Sequence, residues 1–441
     1  MNRLKVFLSI MAAKLAHAVG KFIGKGTSKP GQIALKILPD VLNYIKLPKT
    51  VIAVTGSNGK SSTVNMIYHI LKNNGLSIAC NNKGSNQLEG VTTTVLTNAS
   101  LRGKLKHDVL LIECDERYTK FIFKYVIPDY CVVTNLYRDQ LTRNGHQEEV
   151  FDIIRKHIPS QTHLVLNADD ILVSLLSEKT EKSSWYGVSA PDTQTRVGNI
   201  YNDAVLCPSC KSRLTSDNGN YLCESCGFHR HNPDCAITSL SLKDKKITID
   251  GQYDISVMTG SLFSFYNTLA AFTVSKLLKL DSQKTAQLLS RYELENGRET
   301  RFSLNNREGT LLIAKHENST AYNQCFQLVT SAEDDCDVMI IVDEISRKYF
   351  TSDTSWLWDI DFNLLCDKNV RQLILVGKYV NDLIVRLSYT DFPQEKIKHY
   401  EDINSAIEAM DDDRKEPVFV ITCFSDQMKF LKNPCVKKVK K

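Results

Sequence analysis

A lysine at the end of a glycine-containing turn is the first feature of the chain that could do chemistry. Residues 51–63 read Val-Ile-Ala-Val-Thr-Gly-Ser-Asn-Gly-Lys-Ser-Ser-Thr, which is an apolar run, a turn and the start of a helical pattern. Such a turn directs backbone N–H groups and the positive end of a helix toward phosphate. We expect the Lys60 ammonium to reach the β- and γ-phosphates of a nucleotide and the Ser61 hydroxyl to help hold Mg²⁺. The other residues of this predicted phosphate loop are Thr55, Gly56, Ser57, Asn58, Gly59 and Ser62.

The predicted loop is tighter than the general P-loop pattern. That pattern places a glycine five residues before its second glycine, and Val54 occupies this position here. An ordinary glycine turn is the alternative interpretation. The apolar strand before the turn and the helical period after it favour a phosphate site, because both elements are needed to aim the N–H groups.

Four cysteines form two knuckles whose spacing suits a metal ion. Two residues separate Cys207 from Cys210, two separate Cys223 from Cys226, and twelve lie between the pairs. Four thiolates at this spacing are typical of tetrahedral Zn²⁺, and a site filled by four protein thiolates leaves no position for water. We therefore predict a structural zinc ribbon. A pair of redox dithiols is the alternative, but the sequence lacks the thioredoxin-like setting that it would need.

Size and composition are those of a globular protein of about three domains. The chain has 441 residues, 24% of them charged, and a net charge of +5, which does not call for a nucleic-acid partner. Most of the thirteen cysteines stand singly in apolar runs, among them Cys114, Cys131 and Cys423. Cysteines of this kind are usually reduced core residues, which favours a reducing cytosol.

The first segment of the chain predicts a basic amphipathic helix. It is too short and too charged to span a bilayer. Two interpretations stay open: the helix packs on the next domain, or it lies on a membrane surface. The apolar residues that recur at helical spacing are Leu4, Phe7, Leu8, Met11, Leu15, Ala18, Val19 and Phe22.

Strand-like and helical patterns alternate along the rest of the chain, which predicts an α/β fold with parallel sheets. We expect an N-terminal helical arm over 1–46, a central domain over 47–300 and a C-terminal α/β domain over 301–441. The zinc ribbon, at about 204–232, is predicted to be an insertion in the central domain. The strand candidates are 51–55, 109–113, 130–134, 163–166, 237–250, 252–258, 311–314, 338–342, 373–376 and 418–422, and the helix candidates include 32–45, 61–71, 150–158 and 262–278.

The tight loop at 55–63 resembles the ATP loop of the Mur ligases and folylpolyglutamate synthases, enzymes that activate a carboxylate as an acyl phosphate. Further segments match motifs of this family in the same order along the chain. They are Glu113, the segment 134–140, the Asn-Ala-Asp-Asp turn at 167–170, Gly260 with 267–271, and the pair Gly297-Arg298. The resemblance implies a Mur ligase-type central P-loop domain, here with an inserted zinc ribbon, and a Rossmann-like C-terminal domain.

The resemblance also implies roles for single residues. Glu113 matches the acidic Mg²⁺ ligand, and a carboxylate at the C-terminal end of a strand suits that role. Asn267 matches the asparagine that faces the adenine of ATP. Arg298 matches the arginine that approaches the nucleotide phosphates, and Gln140 stands where many members have a histidine.

The segment before the ATP loop is too short for the domain with which most Mur ligases bind the uridine nucleotide of their substrate. Two further features point to one branch of the family. The zinc ribbon and the string Asp-Thr-Ser-Trp-Leu-Trp-Asp-Ile-Asp-Phe at 353–362 are similar to the MurT family, the ligase-like subunits of lipid II isoglutaminyl synthases. The resemblance runs nearly end to end.

Membership of that branch would imply an enzyme that uses ATP to amidate the α-carboxyl of D-glutamate in the lipid II stem peptide. Ammonia attacks an acyl phosphate, and the product is D-isoglutamine. The ammonia would come from a separate GatD-like glutaminase in a heterodimer, since no cysteine of this chain sits in a nucleophile elbow. Such an enzyme would be cytoplasmic and would meet lipid II at the inner face of the membrane.

The resemblance gives Asp353 a role in the partner subunit's chemistry. It matches an aspartate that completes the Cys–His pair of the glutaminase by orienting the histidine. The other interpretation is that Asp353 caps a helix beginning at Thr354 or Ser355. Two segments depart from the family's pattern: 315–318 reads Lys-His-Glu-Asn instead of Lys-Asn-Pro, and 345–352 replaces an Ala-Asp-Gly run.

Two other functions stay open at this point. The first is a Mur-type ligase that joins an amino acid to a carboxylate without a glutaminase. The second is a non-catalytic, zinc-stapled scaffold that binds ATP and organises enzymes of wall synthesis. Lys60 and Glu113 argue against the scaffold, because it has little need for a phosphate lysine and a metal carboxylate together.

Overall fold

A computed structural model of the chain contains two large sheets, each with helices packed on it, and a small separate hairpin. The predicted α/β class is confirmed. The structure describes residues 2–22, 26–82, 85–139, 145–189, 206–217, 220–257, 259, 261–293, 299–305, 307–332, 334–345, 352–366, 369–410 and 415–439.

The first sheet contains nine strands. They are β1 Thr50–Thr55, β2 Ile78–Cys80, β3 Val109–Glu113, β4 Tyr130–Val133, β5 His163–Asn167, β6 Lys182–Val188, β9 Cys235–Ser241, β10 Lys246–Ile249 and β11 Tyr253–Ser256. Their order is β11-β10-β9-β6-β5-β4-β1-β3-β2. The strands from β9 to β2 are parallel, and β10 and β11 form an antiparallel edge. The separate hairpin is formed by β7 Thr215–Asp217 and β8 Asn220–Leu222.

Helices cover both faces of the first sheet. They are α1 Asn2–Phe22, α2 Lys29–Ile37, α3 Lys60–Asn73, α4 Leu88–Asn98, α5 Thr119–Ile122, α6 Gln147–His157, α7 Ile171–Ser174, α8 Leu262–Leu277 and α9 Ser282–Ser290, with 3₁₀ helices at Val41–Tyr44 and Leu175–Lys179. Side chains of β1 alternate between two cores: Val51 and Ala53 pack with α1, α2 and α4, while Ile52 and Val54 pack with α3 and α8. The phosphate-loop strand therefore lies in the middle of the sandwich.

The second sheet has seven strands. They are β12 Glu299–Leu304, β13 Arg307–Ala314, β14 Cys336–Ile341, β15 Val370–Val376, β16 Ile397–Tyr400, β17 Val418–Cys423 and β18 Val436–Lys438. The order is β16-β15-β14-β17-β13-β12-β18, with β12 and β18 antiparallel to their neighbours. Its helices are α10 Ser319–Thr330, α11 Val380–Leu387, α12 Ile403–Glu408 and α13 Gln427–Leu431, with 3₁₀ helices at Ser355–Asp359, Phe362–Leu365 and Gln394–Lys396. We propose that the two sheets mark the predicted central and C-terminal domains.

Two predicted elements are each divided in the structure. The helix expected over 32–45 ends at Ile37, because Leu38 precedes a proline and adopts an extended conformation. The strand expected over 237–250 is two strands, β9 and β10, joined by a charged turn. The turn predicted at Asp250-Gly251 joins β10 to β11; both residues have positive φ, and the Gln252 N–H donates to the Ile249 carbonyl oxygen at 3.0 Å, as in a type I′ turn.

Helix α1 packs on the sandwich with a face other than the predicted apolar one. Val6, Ile10 and Ala13 are buried against the core that contains α2 and α4. The residues that formed the predicted apolar face include Leu4 and Leu15, and these are 64% and 61% exposed. Within the residues that the structure describes, no helix combines the length and the apolar character that crossing a membrane requires.

Candidate functional site

The phosphate loop lies where the sheet concentrates its charged side chains. β1 ends at Thr55 between the parallel strands β3 and β4, and α3 begins at Lys60. Gly59 precedes the helix with φ of +82°, a conformation that L side chains rarely adopt. The Ser61 hydroxyl lies exposed in the first turn of α3. The C-terminal edge of β1, β3 and β4 is therefore the candidate site, as is usual for open parallel sheets.

The Lys60 side chain folds back into the loop. Its Nζ donates to the carbonyl oxygen of Gly56, to that of Ser57 at 3.2 Å and to Glu116 Oε2 at 2.8 Å. The Lys60 and Glu116 side chains are 11% and 3% exposed, so this ion pair is nearly dry. Burial acts against the charge on Lys60, but the nearby acids, Glu116 first, outweigh burial and raise the pKa of the lysine. Lys60 therefore keeps its positive charge at the predicted phosphate position.

Glu116 is a site residue that the sequence interpretation missed. Burial acts to raise the pKa of its carboxyl group, yet Lys60 and Lys315 hold that pKa below its ordinary value. The pair with Lys60 contributes stability across the neutral range. This contribution is lost as pH falls through the lowered pKa of Glu116 or rises through the raised pKa of Lys60. Three buried carboxylates within four residues, Glu113, Asp115 and Glu116, were the available signal.

Glu113 is held in place by two asparagines that follow β2. Asn86 Nδ2 donates to Glu113 Oε1 at 2.9 Å. The Asn81 side chain accepts from the Glu113 backbone N–H at 2.7 Å and donates to its carbonyl oxygen at 2.9 Å. One amide donor on the carboxylate leaves lone pairs for a hard cation, which prefers oxygen ligands. The residues present therefore fit a magnesium ion beside the loop.

The segment after β4 fixes the shape of the loop. Thr134 Oγ1 donates to the Asn58 carbonyl oxygen at 2.6 Å, and Asn135 Oδ1 accepts from the Asn58 N–H at 2.8 Å. The Ser57 N–H donates to the Asn135 carbonyl oxygen at 2.9 Å. A Cβ on Gly56 would lie 2.3 Å from Thr134 Oγ1, so only glycine fits there. The loop is thus held in shape by hydrogen bonds from the segment after the neighbouring strand.

The Asn-Ala-Asp-Asp turn at 167–170 forms hydrogen bonds with this segment. Asn167 Nδ2 donates to the Thr134 carbonyl oxygen at 3.2 Å. Asp170 Oδ2 accepts from the Leu136 N–H at 2.7 Å, and Asp170 Oδ1 caps α7 by accepting from the Val173 N–H at 3.0 Å. The turn therefore connects β5 to the residues that contact the phosphate loop.

Asn267 on α8 lies against the loop at the start of α3. It is buried, and its Oδ1 accepts from Thr63 Oγ1 at 3.3 Å. A Cβ on Gly59 would lie 2.2 Å from the same oxygen. The structure thus brings Asn267 to the loop, and its contact with adenine stays a prediction.

The close approach at Gly59 gives a testable substitution with a matched control. We expect Gly59→Ala to weaken ADP binding by more than about tenfold, because the new methyl group displaces either the loop or Asn267. Gly75→Ala is the control, since Gly75 has φ of +81° but nothing within 4 Å of its Cβ position. Because both substitutions introduce the same backbone strain, a difference between their ADP affinities, measured by calorimetric titration, reports the steric overlap of the new methyl group with Asn267. Equal ADP affinities for the two variants would contradict the geometry.

Two side chains that follow β13 reach the loop from the second sheet. Lys315 Nζ bonds to Asp139 Oδ2 and donates to the Ser57 carbonyl oxygen at 3.3 Å. Asn318 Nδ2 donates to Asp139 Oδ1 at 2.8 Å, and Asn318 Oδ1 accepts from Asn58 Nδ2 at 3.3 Å. The Lys-His-Glu-Asn segment therefore places two side chains on one aspartate. Both were missed as site residues because the contacts join distant parts of the chain.

The four cysteine side chains converge as the sequence predicts. Their sulfur atoms lie within 4.8 Å of one another. The Sγ–Sγ distance is 3.6 Å for Cys207 and Cys226 and 3.4 Å for Cys210 and Cys223. Sulfurs around tetrahedral zinc, with Zn–S bonds of about 2.3 Å, are about 3.8 Å apart. The donor set and its spacing therefore fit a tetrahedral metal ion.

Both knuckles have the same backbone geometry. The Lys211 N–H donates to the Cys207 carbonyl oxygen at 2.9 Å, and the Gly227 N–H donates to the Cys223 carbonyl oxygen at 2.8 Å. Lys211 and Gly227 both have positive φ, of 64° and 76°. Each knuckle thus turns its two thiols toward the same point, which is the arrangement that a shared ion requires.

The ribbon is anchored on the Asn-Ala-Asp-Asp turn. The Tyr221 hydroxyl bonds to Ser174 Oγ and donates to the Ala168 carbonyl oxygen at 3.2 Å. Arg230 Nε donates to Asp169 Oδ1 at 2.6 Å, and both side chains are buried. Since this turn also supports Thr134, the ribbon is connected to the phosphate loop through a short series of hydrogen bonds.

Asp353 lies exposed on the second sheet's side of the molecule. Its Oδ1 accepts from the Ser355 N–H at 2.9 Å at the start of the 3₁₀ helix Ser355–Asp359. In the same helix Trp358 is 53% exposed, with the Arg386 guanidinium 5.5 Å from its ring centre. The structure therefore gives Asp353 a capping contact and also leaves it accessible.

Some predicted positions are not among those that the structure describes. Arg298 and Gln140 fall outside the described residues, as do Gly260, Gly297 and residues 346–351. Their predicted roles stay predictions.

Two family models match the chain: the Mur ligase middle domain at residues 54–275 and the MurT ligase C-terminal domain at 316–426. The lipid II isoglutaminyl synthase (glutamine-hydrolyzing) subunit MurT of Streptococcus pneumoniae is 27% identical, over 97% of this chain and 96% of that protein. The subunit of the same name from Staphylococcus aureus is 30% identical, over 88% of this chain and 89% of that protein. The solved pseudomurein peptide ligase type C of Methanothermus fervidus matches with a TM-score of 0.69 and 22% identity, over 89% of this chain and 79% of that one.

These matches agree with the observed fold. The structural likeness identifies a Mur ligase fold. The sequence matches extend through both sheets and include the segments that meet at the phosphate loop. By sequence over nearly its whole length, and by fold, the chain belongs to the MurT family.

Proposed function

We propose that the protein is the ATP-dependent ligase subunit of a lipid II isoglutaminyl synthase. Its reaction would be amidation of the α-carboxyl of D-glutamate in the lipid II stem peptide. One observation supports the proposal most directly. In this member of the family, Lys60 of the phosphate loop after β1 pairs with the buried Glu116, which follows the adjacent parallel strand β3. A non-catalytic scaffold would have no use for that arrangement, because buried charges are costly unless they serve a site.

The proposed reaction has two steps. The substrate carboxylate attacks the γ-phosphorus of ATP, which forms an O–P bond and releases ADP. Ammonia then attacks the acyl carbon, so that a C–N bond forms, the bond to the phosphate oxygen breaks, and the nitrogen gives up a proton as phosphate leaves. An acyl phosphate hydrolyses readily, so exclusion of water favours amidation.

The residues of the loop suit the first step. Lys60 would move from Glu116 to the terminal phosphates, whose charge exceeds that of one carboxylate. Glu113 and Ser61 would hold Mg²⁺, and the ion would neutralise charge on the transferred phosphoryl group. Lys315 and Asn318 contact Asp139 beside the loop and would help to exclude water. From the family resemblance, Asn267 would face adenine and Arg298 would approach the phosphates.

We propose that Zn²⁺ occupies the four-cysteine cluster as a structural ion, since soft thiolate ligands in tetrahedral spacing favour zinc. Replacing Cys210 and Cys226 together with serine is expected to remove the zinc. Because the ribbon is anchored on the Asn-Ala-Asp-Asp turn, we also expect ADP affinity to fall by about fivefold or more. Elemental analysis and ADP titration measure the two effects.

The control for this double substitution exchanges two cysteines outside the cluster, Cys366 and Cys435, for serine. Zinc content and ADP affinity should stay at the wild-type level in the control. A protein that has lost its zinc but binds ADP as tightly as the wild type would show that the ribbon does not support the phosphate loop.

We further propose that the ammonia comes from a GatD-like glutaminase bound in a heterodimer, in the cytoplasm. Asp353 would approach the glutaminase and orient its histidine. Its accessibility and the exposed Trp358 beside it support a partner surface on this part of the molecule. Aromatic residues with an arginine alongside are typical of interface centres.

The direct test is to purify the chain with a candidate glutaminase and to supply lipid II, glutamine, ATP and Mg²⁺. We expect ADP release that requires lipid II, and a lipid II product that carries an amide on D-glutamate by mass spectrometry. ADP release that requires an amino acid instead of glutamine or ammonia would favour the amino-acid-adding ligase. Absence of ADP release under every combination would overturn the enzyme proposal.

A further inference from the structure

Helix α1 has an apolar face that the described fold leaves uncovered. Leucines recur along this face at intervals of four and seven residues, which is the spacing of one stripe on a helix. The exposed side chains are Leu4, Leu8, Leu15 and Val19, which are 46–64% exposed, and Phe7, which is 41% exposed. Five of the seventeen exposed large apolar side chains among the described residues thus belong to one helix of 21 residues. Scattered single residues of this kind need no explanation, but a continuous stripe does.

The stripe is not a consequence of loose attachment. The opposite face of α1 is buried through Val6, Ile10 and Ala13. The Ser9 hydroxyl donates to the Ala34 carbonyl oxygen on α2 at 3.5 Å, and Lys14 Nζ donates to the Thr97 carbonyl oxygen on α4 at 2.7 Å. The helix is therefore held firmly, with its leucines directed away from the protein.

The charge around the stripe is entirely of one sign. Arg3, Lys14 and Lys21 recur at intervals of eleven and seven residues, which places them along one flank of the leucines, and Lys5 lies on the other flank. The first 39 residues contain seven lysines and arginines and no aspartate or glutamate. Their net charge exceeds the +5 of the whole chain. Such a surface is complementary to an anionic one.

A pocket lies beside this basic flank. It has a volume of 490 Å³ and is lined by Lys14, His17, Ala18, Lys21 and Thr97. Lys14 Nζ donates to the Thr97 carbonyl oxygen at 2.7 Å, which fixes the ammonium at the wall of the pocket. An ammonium carries three donors, so a phosphate oxygen can bind there as well.

We propose that α1 lies in the interface of a bilayer that contains anionic phospholipid. The leucine stripe enters the acyl region, the flanking lysines and arginine meet the headgroups, and the pocket at Lys14 and Lys21 receives a lipid phosphate. A helix with one apolar face, a basic border and no acids is the type that binds in the plane of a membrane surface. The lysines and the histidine within α1 disfavour a crossing orientation, which needs about 20 predominantly apolar residues.

The position of α1 also fits the site, an argument that rests on the proposed lipid-linked substrate. Helix α4 joins the two regions: Thr97 near its end lines the pocket, and Asn86, just before its start, holds Glu113. A helix of 11 residues is about 16 Å long. The membrane contact would therefore lie about one short helix from the carboxylate that binds the metal, within reach of a headgroup that carries sugars and a peptide.

Vesicle sedimentation tests the proposal on the full chain. We expect the protein to bind vesicles of equal parts phosphatidylglycerol and phosphatidylcholine, and to bind phosphatidylcholine vesicles far less. Replacing Leu8 and Leu15 with glutamine should reduce binding at least about tenfold, because two leucines no longer enter the bilayer. Ile127 and Met428, replaced by glutamine, form the matched control, since they are 48% and 47% exposed elsewhere.

A second pair of variants tests the charges. Arg3, Lys5 and Lys21 replaced together by glutamine should reduce binding to the anionic vesicles about tenfold or more. The control carries the same change in net charge at exposed positions elsewhere, namely Lys72, Lys246 and Lys398. High salt should weaken the wild type and leave the charge variant nearly unchanged.

Three outcomes overturn the proposal: no binding of the wild type to anionic vesicles, equal losses in the α1 variants and their controls, or a dimer that depends on Leu8 and Leu15 without vesicle binding. ATP turnover on lipid II in detergent should be normal in the α1 variants. Lys60→Met should still bind vesicles. Failure of membrane binding and failure of the proposed enzyme activity are therefore distinguishable.

Discussion

ATP turnover is expected to fall by about two to three orders of magnitude when Lys60 is replaced by methionine. Methionine fills the same apolar space and removes only the ammonium. That ammonium lies at the Gly56 and Ser57 carbonyl oxygens, next to three buried carboxylates. The variant leaves the loop without the cation that balances the charge developing on the phosphates. ADP release with lipid II and an ammonium salt measures the loss.

A loss of stability must be separated from this loss of activity. Removing Lys60 leaves Glu116 buried with less compensation, and breaking a buried pair typically costs about 3–5 kcal/mol, of which Lys315 offsets a part. The double variant Lys60→Met, Glu116→Gln removes the uncompensated charge. It should recover the melting temperature and stay inactive. Lys72→Met, at the exposed end of the same helix, should resemble the wild type.

Recovery of turnover in the double variant would refute the role of Lys60. It would mean that the lysine only balances Glu116 and has no part in phosphate binding. The wild type, the single variants Lys60→Met and Glu116→Gln, and the double variant form a closed cycle, so the coupling between the two residues is measured along with each separate effect.

The elements that the sequence predicts best are those whose signal is entirely local. The strand at 109–113 is observed at Val109–Glu113, and the helix at 262–278 at Leu262–Leu277. An uninterrupted apolar run and a long helical period each identify one structure. Helix α4 was not predicted, because Leu-Glu-Gly-Val-Thr-Thr-Thr-Val-Leu-Thr-Asn is rich in residues that favour strands. Its burial between neighbours overrides that preference.

The period of a sequence indicates a helix but not which face is buried. In α1 the leucines gave the predicted apolar face, whereas the observed contact uses Ser9 and Ala13 together with Ile10. Small residues allow neighbouring helices to approach closely, which no count of large apolar side chains reveals. The large apolar side chains of α1 therefore remain exposed.

The candidate site likewise contains residues that the sequence predicts and residues that it does not. Lys60 and Ser61 follow from a short motif, since strand, turn and helix are contiguous. Glu116, Lys315 and Asn318 could not be assigned, because their partners are 56 to 260 residues away along the chain. Contacts of that separation depend on how the two sheets pack, and a single sequence does not contain that information.

Glutamine-dependent turnover is expected to fall about a thousandfold when Asp353 is replaced by asparagine, in the complex with the glutaminase. Asparagine keeps the Oδ1 acceptor that caps Ser355, and it removes the charge that would orient a histidine and stabilise its protonated form. The two interpretations of Asp353 therefore predict different results. A residue that only caps the 3₁₀ helix would tolerate the change almost completely.

The comparison with added ammonium salt makes the test specific. Ammonia supplied directly avoids the glutaminase, so ammonium-dependent turnover of Asp353→Asn should equal that of the wild type. A defect with both nitrogen sources would instead show that the substitution disturbs the ligase itself. Binding of the glutaminase, measured by sedimentation, should also be nearly unchanged, because asparagine has the size of aspartate and keeps the contact to the Ser355 N–H that shapes this surface.

Asp361 provides the matched control, since its side chain accepts from the backbone N–H two residues ahead at the start of the next 3₁₀ helix, as Asp353 does. Its Oδ1 accepts from the Asn363 N–H at 3.2 Å, and it is exposed like Asp353. Asp361→Asn should keep full glutamine-dependent turnover. If both variants behave alike, whether active or inactive, Asp353 has no role that its neighbour lacks, and the glutaminase must obtain its orienting carboxylate elsewhere. A loss confined to Asp353→Asn and to glutamine-dependent turnover, between two exposed aspartates that accept from the backbone in the same way, would assign Asp353 a role in the partner's chemistry.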